Sequence, residues 1–235
     1  MECGGVWNAQ RKFDGRRVKP AMVSRSTVFW DVDTQADFML PGGKLYVPGA
    51  EKLIPNLSRL TGAARQGRVI LIGDMCQHVP DDPEFERFPP HCVRGTPGAE
   101  LIPETRADQL LIIPNRAGES IPADLSQFQQ VILEKQTLDV FDNPNTETVL
   151  HRLLRFTDRD AEFFVFGVVT EYCVRLAAKG LLARDRRVAL VQDAIETLKA
   201  EDGRKTIEEL TALGARLATT DEALAALGQL KRQSA

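Results

Sequence analysis

The chain has 235 residues and a formal net charge of −3, with 43% hydrophobic and 27% charged residues, an ordinary balance for a globular chain long enough to bury a full core. That balance offers no cationic field for nucleic acid or an anionic membrane, and no apolar run reaches the roughly 18 residues of a membrane span. Cys3, Cys76, Cys92 and Cys173 form no Cys-x-x-Cys pair and no charged-then-apolar segment opens the chain, so a reducing, cytoplasmic setting and small-molecule chemistry are expected.

Residues 1–26 are polar and basic in places (Arg11, Lys12, Arg16, Arg17, Lys19) and read as a flexible N-terminal extension to a single domain over 27–235. From Thr27 onward, short β-branched runs alternate with helical patterns, the signature of a parallel sheet covered on both faces. A strand is predicted at Thr27–Val32, a helix at Ala50–Gln66 ending near Gly67, and a strand at Arg68–Ile72. The stretch from Asp74 to Arg116 is rich in Pro, Gly, Asp and His. It is too long to be an idle connection, and long loops at strand ends are where α/β proteins build sites. Strands follow at Gln130–Leu133, Glu162–Val168, Arg187–Val191 and Arg216–Ala218, interleaved with helices at Thr146–Thr157, Glu171–Arg184, Ala200–Leu213 and Thr220–Leu230. The expectation is a three-layer α/β/α sandwich around a six-stranded, mainly parallel sheet.

Three strand ends carry reactive side chains. Cys173 follows the apolar run Phe164–Val169 at a strand-to-helix junction, where unpaired amide groups and the helix dipole lower a thiol's pKa. Taken alone, it reads equally as a small buried hydrophobe. Asp33 follows the first strand and Lys135 the strand at Gln130–Leu133. Each has a bland reading, a capping carboxylate or a surface lysine. Together they deliver an acid, an ammonium and a thiol to the carboxyl edge of the sheet, where open α/β folds bind ligands. A cysteine amidase needs this set: a nucleophile, a carboxylate to take and return its proton, and a cation beside them.

Four segments carry a more specific signal: Asp33-Thr34-Gln35-Ala36-Asp37-Phe38 with Pro41-Gly42-Gly43; Pro89-Pro90-His91-Cys92-Val93-Arg94-Gly95-Thr96-Pro97-Gly98-Ala99; Lys135; and Gly167-Val168-Val169-Thr170-Glu171-Tyr172-Cys173-Val174. In these the chain resembles the isochorismatase-like cysteine hydrolase superfamily, nearest its nicotinamidase/pyrazinamidase branch, from Thr27 to about Thr220. The resemblance implies the Rossmann-like fold of that superfamily, with Cys173 as nucleophile, Asp33 as general base then acid, and Lys135 as the cation between them. It further implies a cis peptide at Val168-Val169 and an oxyanion hole from the N–H groups of Val169 and Cys173. Vinyl ether cleavage, the isochorismatase reaction itself, is disfavoured by Cys173, which those members lack.

The same resemblance implies a small carboxamide substrate, most simply nicotinamide converted to nicotinate in NAD salvage, and a homo-oligomer. It also implies a divalent metal (zinc, iron or manganese) beside the triad, held by an Asp-x-His motif and a later His, with no organic cofactor. Asp74, His78 and His91 are the expected ligands, with Glu84 or Cys76 as further donors, because Cys76 stands where the motif has His. An insertion before His78, or a Cys76 thiolate, would each repair the motif. A metal-independent amidase for N-carbamoyl or ureido acids is the alternative enzyme; it needs a cation for the substrate carboxylate, for which Arg94 and Arg175 are candidates. Phe38, Phe141 and Tyr172 are candidate walls for a flat ring. A non-catalytic binding protein on the same fold is the reading from another class.

Overall fold

The computed structural model describes residues 25–227. In chain order they form β1 (Arg25–Val32), α1 (Ala36–Met39), α2 (Ile54–Arg65), β2 (Ile70–Cys76), β3 (Leu110–Ile113), β4 (Gln130–Lys135), α3 (Thr146–Leu153), β5 (Thr157–Gly167), α4 (Arg175–Leu182), β6 (Arg187–Ile195), α5 (Ala200–Ala212), β7 (Arg216–Ala218) and α6 (Thr220–Ala226). The expected N-terminal extension lies outside the described residues except for Arg25 and Ser26, which open β1. Residues 228–230, expected to end the last helix, also lie outside them. No described helix is long and apolar enough to cross a membrane.

The strands form one seven-stranded sheet in the order β3-β4-β2-β1-β5-β6-β7, and every pairing is parallel. Every residue of β2 and β4 is buried, which requires cover on both faces of the sheet. That cover comes from helices, α2 packing with α6 and α4 with α5. Phe29, Phe164 and Phe166 meet edge-on inside this core, with ring centroids 6.0 Å apart in each pair that Phe29 makes.

The seventh strand corrects the predicted count of six. β3 is a short edge strand, mostly half-exposed, within the stretch read as loop; its pairing with β4, not its own pattern, makes it a strand. Two boundaries matter for function. β2 runs on to Cys76, four residues past its predicted end. The helix expected from Glu171 instead begins as a π-helical turn, Thr170–Val174, before α4 starts at Arg175.

The strands β2, β4 and β3 lie on one side of β1 and β5, β6 and β7 on the other. The carboxyl end of β1 is therefore the switch point at which such sheets open a ligand crevice. Gly167 ends β5 beside it with φ 112, and a Cβ there would sit 2.1 Å from the Val32 carbonyl oxygen, so only glycine fits this crossing. The Val168-Val169 peptide that follows is cis.

Candidate active site

Four adjacent strands, β4, β2, β1 and β5, bring Lys135, Cys76, Asp33 and Cys173 together at one edge of the sheet. Lys135 Nζ donates to Asp33 Oδ2 at 2.7 Å and lies 3.0 Å from Cys76 Sγ and 3.6 Å from Cys173 Sγ. All four side chains are buried. Asp33 adopts φ 51, an uncommon backbone for a residue with a Cβ, and its N–H is held by the Asp74 carbonyl at 3.1 Å. Such local strain is concentrated at functional sites.

Burial works against the charge of Lys135, but Asp33, Cys173, Cys76 and Asp74 together outweigh it and the ammonium's pKa is raised. Burial likewise pushes the Cys173 thiol well above its ordinary value, against the pull of Lys135. The sequence argument from the helix N-terminus pointed the opposite way. A dipole at the start of a π-helical turn is outweighed by the burial of the sulfur, which favours the neutral thiol.

Asp74, expected as a metal ligand, is engaged by Trp30 and faces Lys135. Lying within β2 rather than after it, Asp74 accepts a hydrogen bond from Trp30 Nε1 at Oδ2 (3.0 Å) and turns Oδ1 toward Lys135 Nζ at 3.8 Å. Cys76, the last residue of β2, stands two before His78. Among the described residues, Cys76, His78 and His91 each offer a ligand atom, and these atoms all lie within 4.8 Å of one another. Two backbone hydrogen bonds hold these segments together: His78 N–H donates to the Cys92 carbonyl at 3.1 Å and Arg94 N–H to the His78 carbonyl at 2.9 Å.

The hydrogen bonds of the two imidazoles test whether a cation fits. His78 Nδ1 faces Asp82 Oδ2 at 3.0 Å and His91 Nδ1 faces the Pro89 carbonyl at 2.8 Å. Both partners only accept, so both rings donate from Nδ1, which leaves Nε2 of each as the atom that can face a cation. His78 Nε2 is buried with no hydrogen-bond partner, and burial lowers the His91 pKa, which keeps that ring neutral. Two imidazoles whose ligand atoms lie this close to each other and to the Cys76 sulfur suit a divalent cation. Glu84 Oε1 lies 3.9 Å from His91 Nε2, at the edge of the same cluster.

Cys76, Glu84, His91 and Cys173 open onto one small cavity, otherwise walled by Phe38, Leu45, Val47, Phe88, Leu138, Val169, Tyr172 and Leu198. Phe38 and Tyr172 were expected there. Phe141 was a third candidate, but it stacks on Trp30 beneath the guanidinium of Arg184 and does not line the cavity. Phe88 is the aromatic wall that sequence reasoning missed, edge-on to Tyr172 at 6.0 Å; its only signal is its place three residues before His91. Arg94 and Arg175, the candidate carboxylate binders, are both engaged elsewhere, by Glu134 and by Glu209. A larger groove shares Glu84 and Leu138 with this cavity and leads outward past Asp82, Arg87, Asp139 and Asp142.

Residues 28–222 match the family model described as the isochorismatase domain. The chain belongs to the isochorismatase family. It is 27% identical over 185 residues to the nicotinamidase/pyrazinamidase of Mycobacterium tuberculosis, covering 76% of this chain and 91% of that protein. It is 24% identical over 208 residues to a probable inactive nicotinamidase of Arabidopsis thaliana, covering 84% and 94%. The crystal structure of the pyrazinamidase of Pyrococcus horikoshii in complex with zinc is similar with a TM-score of 0.65 at 26% identity, over 83% of this chain and 99% of that one. Membership of the isochorismatase family, together with these nicotinamidase relatives, makes the protein a hydrolase acting on amide bonds.

Proposed function

We propose that the protein is a cysteine amidohydrolase for a small uncharged aromatic carboxamide, above all nicotinamide, releasing the acid and ammonia. One observation carries the substrate class: the cavity at Cys173 has apolar and aromatic walls and no arginine or lysine among its lining residues. The groove outside it sets four carboxylates against Arg87. A flat neutral amide suits this path, whereas a ureido or carbamoyl acid would meet like charge outside and no counter-ion within.

In this reading Asp33 takes the thiol proton and Cys173 Sγ attacks the carbonyl carbon, placing negative charge on its oxygen. The N–H groups of Val169 and Cys173 receive that oxyanion. Asp33 returns the proton to the amide nitrogen, the C–N bond breaks and ammonia leaves a thioester. Water then gives Asp33 a proton as its oxygen attacks the thioester; the C–S bond breaks, the acid departs, and the proton goes back to sulfur. Lys135 stays protonated and balances whichever of Asp33 and Cys173 is negative. His78 and His91, with a further donor from the site, would hold a divalent cation, which supplies an electrophile for a ring nitrogen and so orients the amide. Nicotinate is the product that places the enzyme in NAD salvage.

The test is ammonia release from nicotinamide, pyrazinamide, N-carbamoyl amino acids and ureido acids, with Cys173→Ala as the control. Turnover of the two aromatic amides, absent in the variant, is the expected result. Preferential turnover of the carbamoyl or ureido acids, or activity retained by Cys173→Ala, would overturn the assignment.

A further inference from the structure

We propose that Cys76 is a thiolate ligand of the divalent cation, so that the site takes zinc and comparable thiophilic ions in preference to manganese or magnesium. The inference rests on the cation-binding part of the reading above and not on which amide is cleaved.

Each donor of the cluster is backed by a partner of the sign its ligating form requires. Asp82 and the Pro89 carbonyl face Nδ1 of His78 and His91, which leaves Nε2 of each ring as the ligating atom. Lys135 Nζ lies 3.0 Å from Cys76 Sγ, a cation beside the sulfur that opposes the burial and the Asp33 charge which hold the thiol up. Outer partners of this kind fix the tautomer of a ligating imidazole and the direction of its lone pair. The unpartnered, fully buried His78 Nε2 is a second and independent sign of a missing ligand.

Two imidazoles and a thiolate form a set that selects by softness. Zinc is held well by sulfur and nitrogen together, whereas manganese and magnesium favour carboxylate, carbonyl and water. An Asp at this position would supply oxygen and lose that discrimination. Binding removes the Cys76 proton, which leaves to solvent as the metal–sulfur bond forms. Glu84 stands beside His91 at the open side of the cluster, where a fourth donor or a substrate atom would enter.

X-ray absorption at the zinc edge of the zinc-loaded protein tests this without reference to turnover. The expected spectrum contains one sulfur scatterer at about 2.3 Å beside nitrogen at about 2.0–2.1 Å. That sulfur should persist in Cys173→Ser and in Cys92→Ser and vanish in Cys76→Ser. Competition titration should show zinc preferred over manganese, with the preference reduced at least tenfold in Cys76→Asp. Only nitrogen and oxygen scatterers in the wild type, a sulfur lost in Cys173→Ser or Cys92→Ser, or no zinc bound would overturn the proposal. If Cys76→Ser or Cys76→Asp fails to fold, the wild-type, Cys173→Ser and Cys92→Ser spectra decide alone. Nicotinamide turnover without the sulfur scatterer sinks only the thiolate. A sulfur-ligated zinc in a protein inert toward nicotinamide sinks only the substrate assignment.

Discussion

Arg94 and Glu134 are joined by two parallel hydrogen bonds, Nη1 to Oε1 at 3.0 Å and Nη2 to Oε2 at 2.8 Å. This fork occupies the guanidinium and directs it away from the cavity at Cys173. Arg94→Ala is therefore expected to leave KM for nicotinamide within about twofold and to cost about 1 kcal/mol of stability, because the pair is half-exposed on the arginine side. Steady-state kinetics and urea denaturation check both. A large rise in KM confined to substrates bearing a carboxylate would instead place Arg94 in substrate binding.

Lys135→Met replaces the buried ammonium with an apolar chain of similar length and strands Asp33, which is itself only 1% exposed. Removing one partner of a buried pair costs about 3–5 kcal/mol. The expected outcome is a large fall in the urea midpoint together with loss of ammonia release. A stable, active Lys135→Met enzyme would deny the ammonium its part in the site.

Asp31 lies inside β1, and its pKa is raised to about 8 by burial, with Thr34 Oγ1 donating to it in opposition. A carboxyl raised in the folded state holds its proton there after the unfolded chain, titrating near 3.8, has lost it. Stability should therefore fall as pH rises from about 4 to about 8, by about 1.4 kcal/mol per unit. Asp31→Asn removes this slope. Urea unfolding of both proteins between pH 5 and pH 7 should show their stability difference shifting against the wild type by about 2–3 kcal/mol, and parallel profiles would contradict the shift.

Gly98 leaves room for the Asp37 carboxyl group, and a Cβ there would come within 2.3 Å of it. Asp37 Oδ2 accepts the Cys92 N–H at 2.7 Å and Oδ1 the Lys44 N–H at 3.0 Å, tying α1 to the segment that carries His91. Gly98→Ala should destabilise the protein by about 1–3 kcal/mol through overpacking and weaken metal retention, measured by thermal unfolding and by metal content after dialysis. Unchanged values for both would show that Asp37 moves aside freely.

The strand ends that carry the candidate site were legible in the sequence because β-branched runs mark strands and the reactive residues interrupt them. Asp33, Lys135 and Cys173 stand where that reading put them, and the cis Val168-Val169 bond foreseen from the family motif is present. The length of β2 was not legible. Gly73-Asp74-Met75-Cys76 breaks the apolar run while remaining fully buried, since polar groups facing a site need no apolar pattern, and so the strand reads as ending at Ile72. The thiol's pKa was misjudged because sequence shows a junction but not its burial. Leu45, Val47 and Leu198 reach the cavity from irregular segments without any motif.

An ammonium has three hydrogens arranged as a tripod, and at Lys135 three acceptors surround it: Asp33 Oδ2, Cys76 Sγ and Cys173 Sγ. These belong to the end of β1, the end of β2 and the turn beyond β5, so one side chain from β4 acts as a cross-brace over the working edge of the sheet. A guanidinium holds its hydrogens in a plane and cannot span such a pyramid. Lys135→Arg, conservative by charge, is a change of geometry here and should splay the three groups apart.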